Sequence, residues 1–308
     1  MTLQQMEYIV ALNKHRHFVL AAEACGVTQP TLSAMIQKLE EELQVKIFNR
    51  DRNNISPTSV GAKIIKQAQV ALNEARRVKE VVADEAETMS GSVRIGVLPT
   101  IAPYVVPDFI YHFREAYPQV DLFVDEKASK SLLQDLRYGN LDMALTTTPI
   151  DMEGLLEVTV YVERFVAYFS NLCSKAQELM LSGELPAEHM WILKEGHCAA
   201  NGVQSFCKNK EKGNHIYEAG SIETLVRIVD RNGGYTVVPE LHLNFLTEQQ
   251  RQHTAIIQND PLAKRFVSLV VREDFVRERM LNAVLEVLKQ IIPQHMLQSR
   301  MNRLPIKL

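Results

Sequence analysis

The chain has 308 residues, of which 46% are hydrophobic and 23% charged, with a formal net charge of −3. These are ordinary values for globular protein of two or three domains with a sizeable core. No apolar run approaches the roughly 20 residues that span a bilayer, and the first turns carry Glu7, Lys14 and Arg16 rather than a continuous apolar stretch. A membrane span and a secretory signal are therefore excluded from the reading, and the cytoplasm is the expected address. In that reducing compartment Cys25, Cys173, Cys198 and Cys207, which form no CxxC pair, read as buried thiols, metal ligands or redox groups rather than a disulfide framework.

Two short helical patterns open the chain. Phe18, Ala21, Ala22 and Cys25 precede a break at Gly26-Val27; Leu32, Met35, Ile36, Leu39 and Leu43 then recur at helical spacing. Thr28 is placed as the cap of the second helix, with Pro30 in its first turn. Two helices joined by a tight turn predict a helix-turn-helix. Lys46 to Arg50 and Ile55 to Thr58 read as short strands around a polar turn, a wing. The exposed side of the second helix carries Gln29, Thr31, Ser33 and Gln37, with Pro30 fixing its entry. Such side chains can read base edges in a major groove, and Arg50 and Arg52 would contact phosphates. Charge gives no support, because basic and acidic side chains balance at six each from Met1 to Thr58.

From Ser59 a long breaker-poor helix follows, with Val60, Ile64, Ala68, Ala71, Ala75, Val78 and Val82 at spacings of three and four. This stripe suits a helical partner; Ile64, Ala68, Leu72 and Ala75 are the expected dimer positions. Near Gly91 the pattern changes to Val93, Ile95 and Val97 alternating with Arg94 and Gly96. Strands are then expected at Val120–Val124, Met143–Thr146, Phe165–Phe169, Met190–Leu193 and Tyr235–Val238, and helices around Leu132–Tyr138 and Ile222–Asp230. Alternation of this kind predicts an α/β domain, and two open lobes with a cleft between them would fit. The expected divisions are 1–58 for the winged helix-turn-helix, 59–90 for the linker helix and 91–308 for the regulatory domain, with one lobe at about 91–164 and 266–300 and the other at about 165–265.

On spacing alone, Cys198 and Cys207 read as unrelated core cysteines. A zinc site from Cys198, Cys207, His197 and His215 lacks the usual close ligand pairs, so no metal is expected.

The run from Phe18 to Arg50, with Ala21-Ala22, Val27-Thr28-Gln29-Pro30-Thr31-Leu32-Ser33, Ile36, Leu39-Glu40, Leu43 and Phe48, then Thr58 and Gly61, closely resembles the DNA-binding segment of LysR-type transcriptional regulators. The resemblance implies a linker-helix dimer, a dimer-of-dimers tetramer and a two-lobed, periplasmic-binding-protein-like α/β effector domain. Double-stranded DNA and RNA polymerase are the implied partners. Glu195-Gly196-His197-Cys198, Ser205-Phe206-Cys207 and the Ser221–Leu225 run resemble the peroxide-sensing branch of that family. Cys198 is by this resemblance peroxidatic and Cys207 resolving, hydrogen peroxide is the signal, and Thr100, Ser129, His197, Asn201 and Arg265 fall at pocket positions. The branch usually carries a basic residue where Ala199-Ala200 stand, and an acid is common at Asn201.

A thiolate attacking peroxide gives a sulfenic acid that a second thiol converts to a disulfide. If residues 199–206 were helical, nine steps of about 1.5 Å would separate the two Cα atoms by roughly 13 Å, and a disulfide needs less than about 7 Å. The segment would have to rearrange. No cofactor is expected, and an enzyme is not. The alternatives are a regulator with inert cysteines and a small-molecule effector in the cleft, or a thiol peroxidase.

Overall fold

A computed structural model describes residues 1–51, 54–84, 89–150, 152–170, 190–193, 216–217, 221–257 and 264–307. The chain divides into two compact units: Met1–Glu85 with Tyr138–Asn140, and Ala86–Arg137 with Leu141–Leu308.

In the first unit, α1 (Leu3–His15) opens on a capping box in which Thr2 and Gln5 satisfy each other's backbone N–H groups. Its chain reverses at Arg16 in the left-handed region (φ 53°). α2 (Phe18–Ala24) and α3 (Gln29–Leu43) are separated by Gly26, whose φ of +65° is what glycine adopts without steric cost. Tyr8, Ile9 and Leu12 from α1, Ala21 and Ala22 from α2, and Leu32, Ile36 and Leu39 from α3 interlock as the core. β1 (Phe48–Asp51) and β2 (Asn54–Pro57) form the antiparallel wing hairpin.

α4 (Ser59–Asp84) continues the same unit. Of the expected dimer positions, Ala68 is buried with Ile65 in this core and Ile64 packs against it. Leu72 and Ala75 are half-buried, whereas Val78 is 69% exposed. One side of the stripe is thus covered by the helix's own domain, and a charge at Ala68 would disturb that core before it reached any partner.

The second unit is built on one seven-stranded sheet. β3 (Gly91–Val97), β4 (Val120–Glu126) and β5 (Met143–Thr148) are parallel, joined through α5 (Ala102–Ala116) and α6 (Ser129–Arg137). β6 (Leu155–Phe169) begins ten residues before the expected Phe165. The small parallel pair β7 (Ile192–Leu193) and β8 (Ile216–Tyr217) forms a ladder of its own, and Met190 just before it bridges to Tyr235 of the main sheet. α7 (Ile222–Asn232), capped by Ser221, leads into β9 (Tyr235–Pro239), a 3-10 turn at Glu240–Phe245, α8 (Glu248–Arg251) and β10 (Thr254–Ile256). β11 (Lys264–Arg272) then inserts antiparallel between β5 and β6, and α9 (Glu278–Ile291) packs on the sheet.

Two apolar clusters define the lobes. Val93, Ile95, Phe109, Leu132, Val158, Val160, Val267, Leu269 and the inward face of α9 form the larger. Val166, Tyr168, Leu225, Val226, Val229 and Val238 form the smaller. β6 contributes to both, so the lobes share a strand rather than a flexible connection. This is the two-lobed α/β architecture behind a winged helix-turn-helix. No helix among the described residues is long and apolar enough to cross a membrane.

Candidate functional site

The reader helix is α3. Thr28 caps it, its Oγ1 accepting the Thr31 N–H at 3.4 Å and lying 2.8 Å from the Thr31 hydroxyl. Leu32, Ile36 and Leu39 turn inward, so Gln29, Pro30, Thr31 and Gln37 stay exposed while Ser33 is half-buried. Ala34 and Lys38 share the exposed side. Sequence reading passed over both, although Ala34 lies four positions from Pro30 and three from Thr31 and Gln37, and Lys38 lies four from Ala34, which marks the same helix face. Gln37 donates from Nε2 to Glu41 Oε1 at 2.9 Å.

The wing is held at its root. Glu40 is buried on α3, and its Oε1 accepts the backbone N–H of Ile47 (2.8 Å) and of Phe48 (3.2 Å), while Oε2 receives Lys46 Nζ (3.2 Å). Burial alone would raise the pKa of this carboxyl. The two backbone donors and Lys46 outweigh it and hold the pKa below the usual glutamate value. On the opposite edge the Thr58 hydroxyl donates to Lys46 O (2.7 Å) and accepts from Gly61 N (2.8 Å). Gly61 lets α4 start against the Ile47 carbonyl, where a Cβ would sit 1.9 Å from that oxygen. Arg50 lies on β1 opposite Ile55, and Arg52 lies outside the described residues.

In the second unit the structure brings Thr100 and Arg265 together. Arg265 is buried on β11 directly opposite Glu163 of β6. Its Nε donates to Glu163 Oε2 at 2.7 Å, Nη1 to Thr100 Oγ1 at 3.0 Å and Nη2 to Thr100 O at 3.0 Å. The other Glu163 oxygen accepts Leu241 N–H at 3.0 Å. Burial disfavours the charged guanidinium, but Glu163, together with Tyr161 and Tyr104, outweighs it and holds the pKa above the ordinary arginine value. Glu163 escaped the sequence reading because its partner lies 102 positions away.

Ser129 belongs to a hydroxyl pair with Thr146 (2.9 Å), and buried Thr148 and Ser268 continue to half-buried Thr159 in a further hydroxyl string. Nearby, the Tyr104 hydroxyl meets His242 Nδ1 at 2.9 Å; burial lowers the His242 pKa to about 4, which leaves the imidazole neutral at pH 7. This pair faces a cavity of about 580 Å³ whose lining includes Pro103, Glu223, Val226 and Phe245. Cys198, Cys207, His197 and Asn201 lie outside the described residues, as does Cys173; Cys25, half-buried, packs against the core of the first unit. Among the described residues no group of three or more His, Cys, Asp or Glu side chains could hold a metal ion.

A winged helix-turn-helix followed by a two-lobed α/β domain defines a class of DNA-binding regulator. Residues 3–62 match the bacterial regulatory helix-turn-helix protein of the lysR family, and residues 86–292 match the LysR substrate binding domain. The chain belongs to the LysR family of bacterial regulators. It is similar to the hydrogen peroxide-inducible genes activator of Haemophilus influenzae, at 33% identity over 95% of this chain and 99% of that one. Its fold matches a full-length cysteine-to-aspartate variant of OxyR from Pseudomonas aeruginosa (TM-score 0.76, 26% identity, 97% of this chain and 98% of that one). It also matches a hydrogen-peroxide-bound cysteine-to-serine variant of OxyR from Corynebacterium glutamicum (TM-score 0.59, 26% identity, 94% and 92%).

Proposed function

We propose that this protein is a cytoplasmic transcription regulator that responds to hydrogen peroxide through Cys198 and Cys207. The observation that carries the reading is similarity along nearly the whole chain to a hydrogen peroxide-inducible genes activator. The Cys198 thiolate attacks one peroxide oxygen, forming a sulfenic acid as the other oxygen leaves as hydroxide. The Cys207 thiol then displaces that hydroxyl as water, forming the disulfide. Thr100, Ser129, His197, Asn201 and Arg265 are assigned to the peroxide pocket. The protein acts as a dimer through the outward stripe of α4 and as a tetramer, and the disulfide changes how the subunits pair and therefore how the DNA-binding heads are spaced. DNA-bound, it engages RNA polymerase.

Stoichiometric peroxide should remove two free thiols from the wild type. Cys198→Ser should react with none, and Cys207→Ser should react once and stop at the sulfenic acid, as read by mass spectrometry of the intact protein. A wild type that loses no thiols, or that joins Cys173 to Cys198, overturns the redox reading while leaving the family assignment in place. The cavity beside Tyr104 and His242 favours one second reading, a small-molecule effector with inert cysteines, and the same thiol count separates the two.

Gln29, Thr31, Ser33 and Gln37 are assigned to base recognition, with Pro30 fixing the helix entry and Arg50 and Arg52 on phosphates. Arg50→Ala and Arg52→Ala should each weaken binding to every duplex and flatten the dependence of log affinity on log salt by about 0.9 per lost contact. Unchanged slopes in both variants would remove the wing from the interface.

A further inference from the structure

We infer that Glu40 is a positioning residue for DNA recognition, fixing the wing to the reader helix so that both meet one duplex at a set separation. The inference rests on the proposed use of the wing against phosphates. Glu40 lies on the inward side of α3, within three positions of Gln37 on the outward side, so it moves with the reading surface. Its carboxylate is 2% exposed and takes the N–H groups of Ile47 and Phe48, the residues where the chain enters β1. Phe48 stands opposite Pro57 in the hairpin, and its N–H goes to Glu40 Oε1 at 3.2 Å. A charged acceptor from the reader helix thus serves the wing at its first rung. The Thr58 hydroxyl, bonded to Lys46 O, pins the same root from the far side, at the start of α4. Reader helix, wing and linker helix thus converge on the backbone of Lys46–Phe48.

The wing root is also packed, since Ile47 and Phe48 are buried in the core of the first unit and Ile55 packs against it. Two-stranded hairpins are marginal on their own, so apolar packing holds this one in place and the polar contacts fix its angle. Releasing the Glu40 contacts leaves α3 folded on Leu32, Ile36 and Leu39 and lets the wing shift on that packing, so phosphate contacts are lost while base contacts persist.

The test uses the full-length protein and two probes, a duplex enriched from random sequence by the wild type and the unselected random duplex. Glu40→Ala should weaken binding to both by about tenfold and flatten the salt dependence by one to two per lost pair of contacts, leaving the preference between the probes nearly unchanged. Glu40→Gln, which keeps an oxygen for the two N–H groups, should recover most of the slope. If Glu40→Ala does not fold, as judged by circular dichroism, Thr58→Val decides, with a shallower slope expected and Thr58→Ser restoring it. Folded variants that lose melting temperature but keep the wild-type slope would make the contact merely structural and overturn the inference. Absence of salt-dependent binding by the wild type would instead defeat the DNA-binding reading itself.

Discussion

Replacing Glu163 with Ala should cost the regulatory domain about 3–5 kcal/mol of stability, the range for breaking one side of a buried ion pair. The substitution strands the Arg265 guanidinium, 1% exposed, with only the two Thr100 oxygens left of its described acceptors, and removes the acceptor of Leu241 N–H. Urea unfolding followed by far-ultraviolet circular dichroism measures the loss. Pairing Glu163→Leu with Arg265→Leu should restore much of it, because two apolar side chains remove the uncompensated charge along with the pair. A double variant as unstable as Glu163→Ala would show that the cost arises elsewhere.

Gly61→Ala carries the second large effect. The new Cβ would meet Ile47 O at 1.9 Å, Ile47 C at 2.7 Å and Ile47 Cα at 2.9 Å, all backbone atoms with no rotamer to yield. Either the wing root moves or α4 starts elsewhere, and both routes break the Thr58 and Glu40 contacts around it. A loss of at least about 3 kcal/mol is expected, in the range of overpacked cores. Ala62→Gly, at an exposed neighbour in the same turn, should cost only about 1 kcal/mol through helix propensity. Thermal melts of the two variants compare the effects directly; equal shifts would mean that the close approach at Gly61 is easily relieved.

The N-terminal unit was legible because its signals are local. Caps, glycine turns and spacings of three and four act within one or two helical turns, and Thr28, Gly26 and Leu32–Leu39 stand where those rules put them. The second unit was legible in its alternation but less in its joints. Pro103 and Pro107 obscured α5, which nonetheless runs through both. Glu157, Glu163 and Arg164 interrupted the apolar pattern of β6, so only its last third read as strand. Glu163 is buried because Arg265 neutralises it, and no local rule reveals a partner on another strand. The stripe on α4 poses a related problem, since periodicity identifies an apolar face without naming its cover. Ala68 faces its own core, whereas Val78 faces outward. Glu40 appeared only as one letter of a recognisable run, because its partners are backbone groups that sequence does not distinguish.

The order of strands across the sheet has a consequence for synthesis. β11 lies between β5 and β6, yet it leaves the ribosome more than a hundred residues after β5. Until Lys264–Arg272 emerges, the nascent larger lobe holds its parallel strands with one long edge unpaired, and α9 is not yet available to cover the sheet. The reader helix and wing are complete long before. During translation a DNA-binding head therefore exists on a regulatory domain that cannot yet close, and the unpaired edges of β5 and β6 are open to mispairing with another copy.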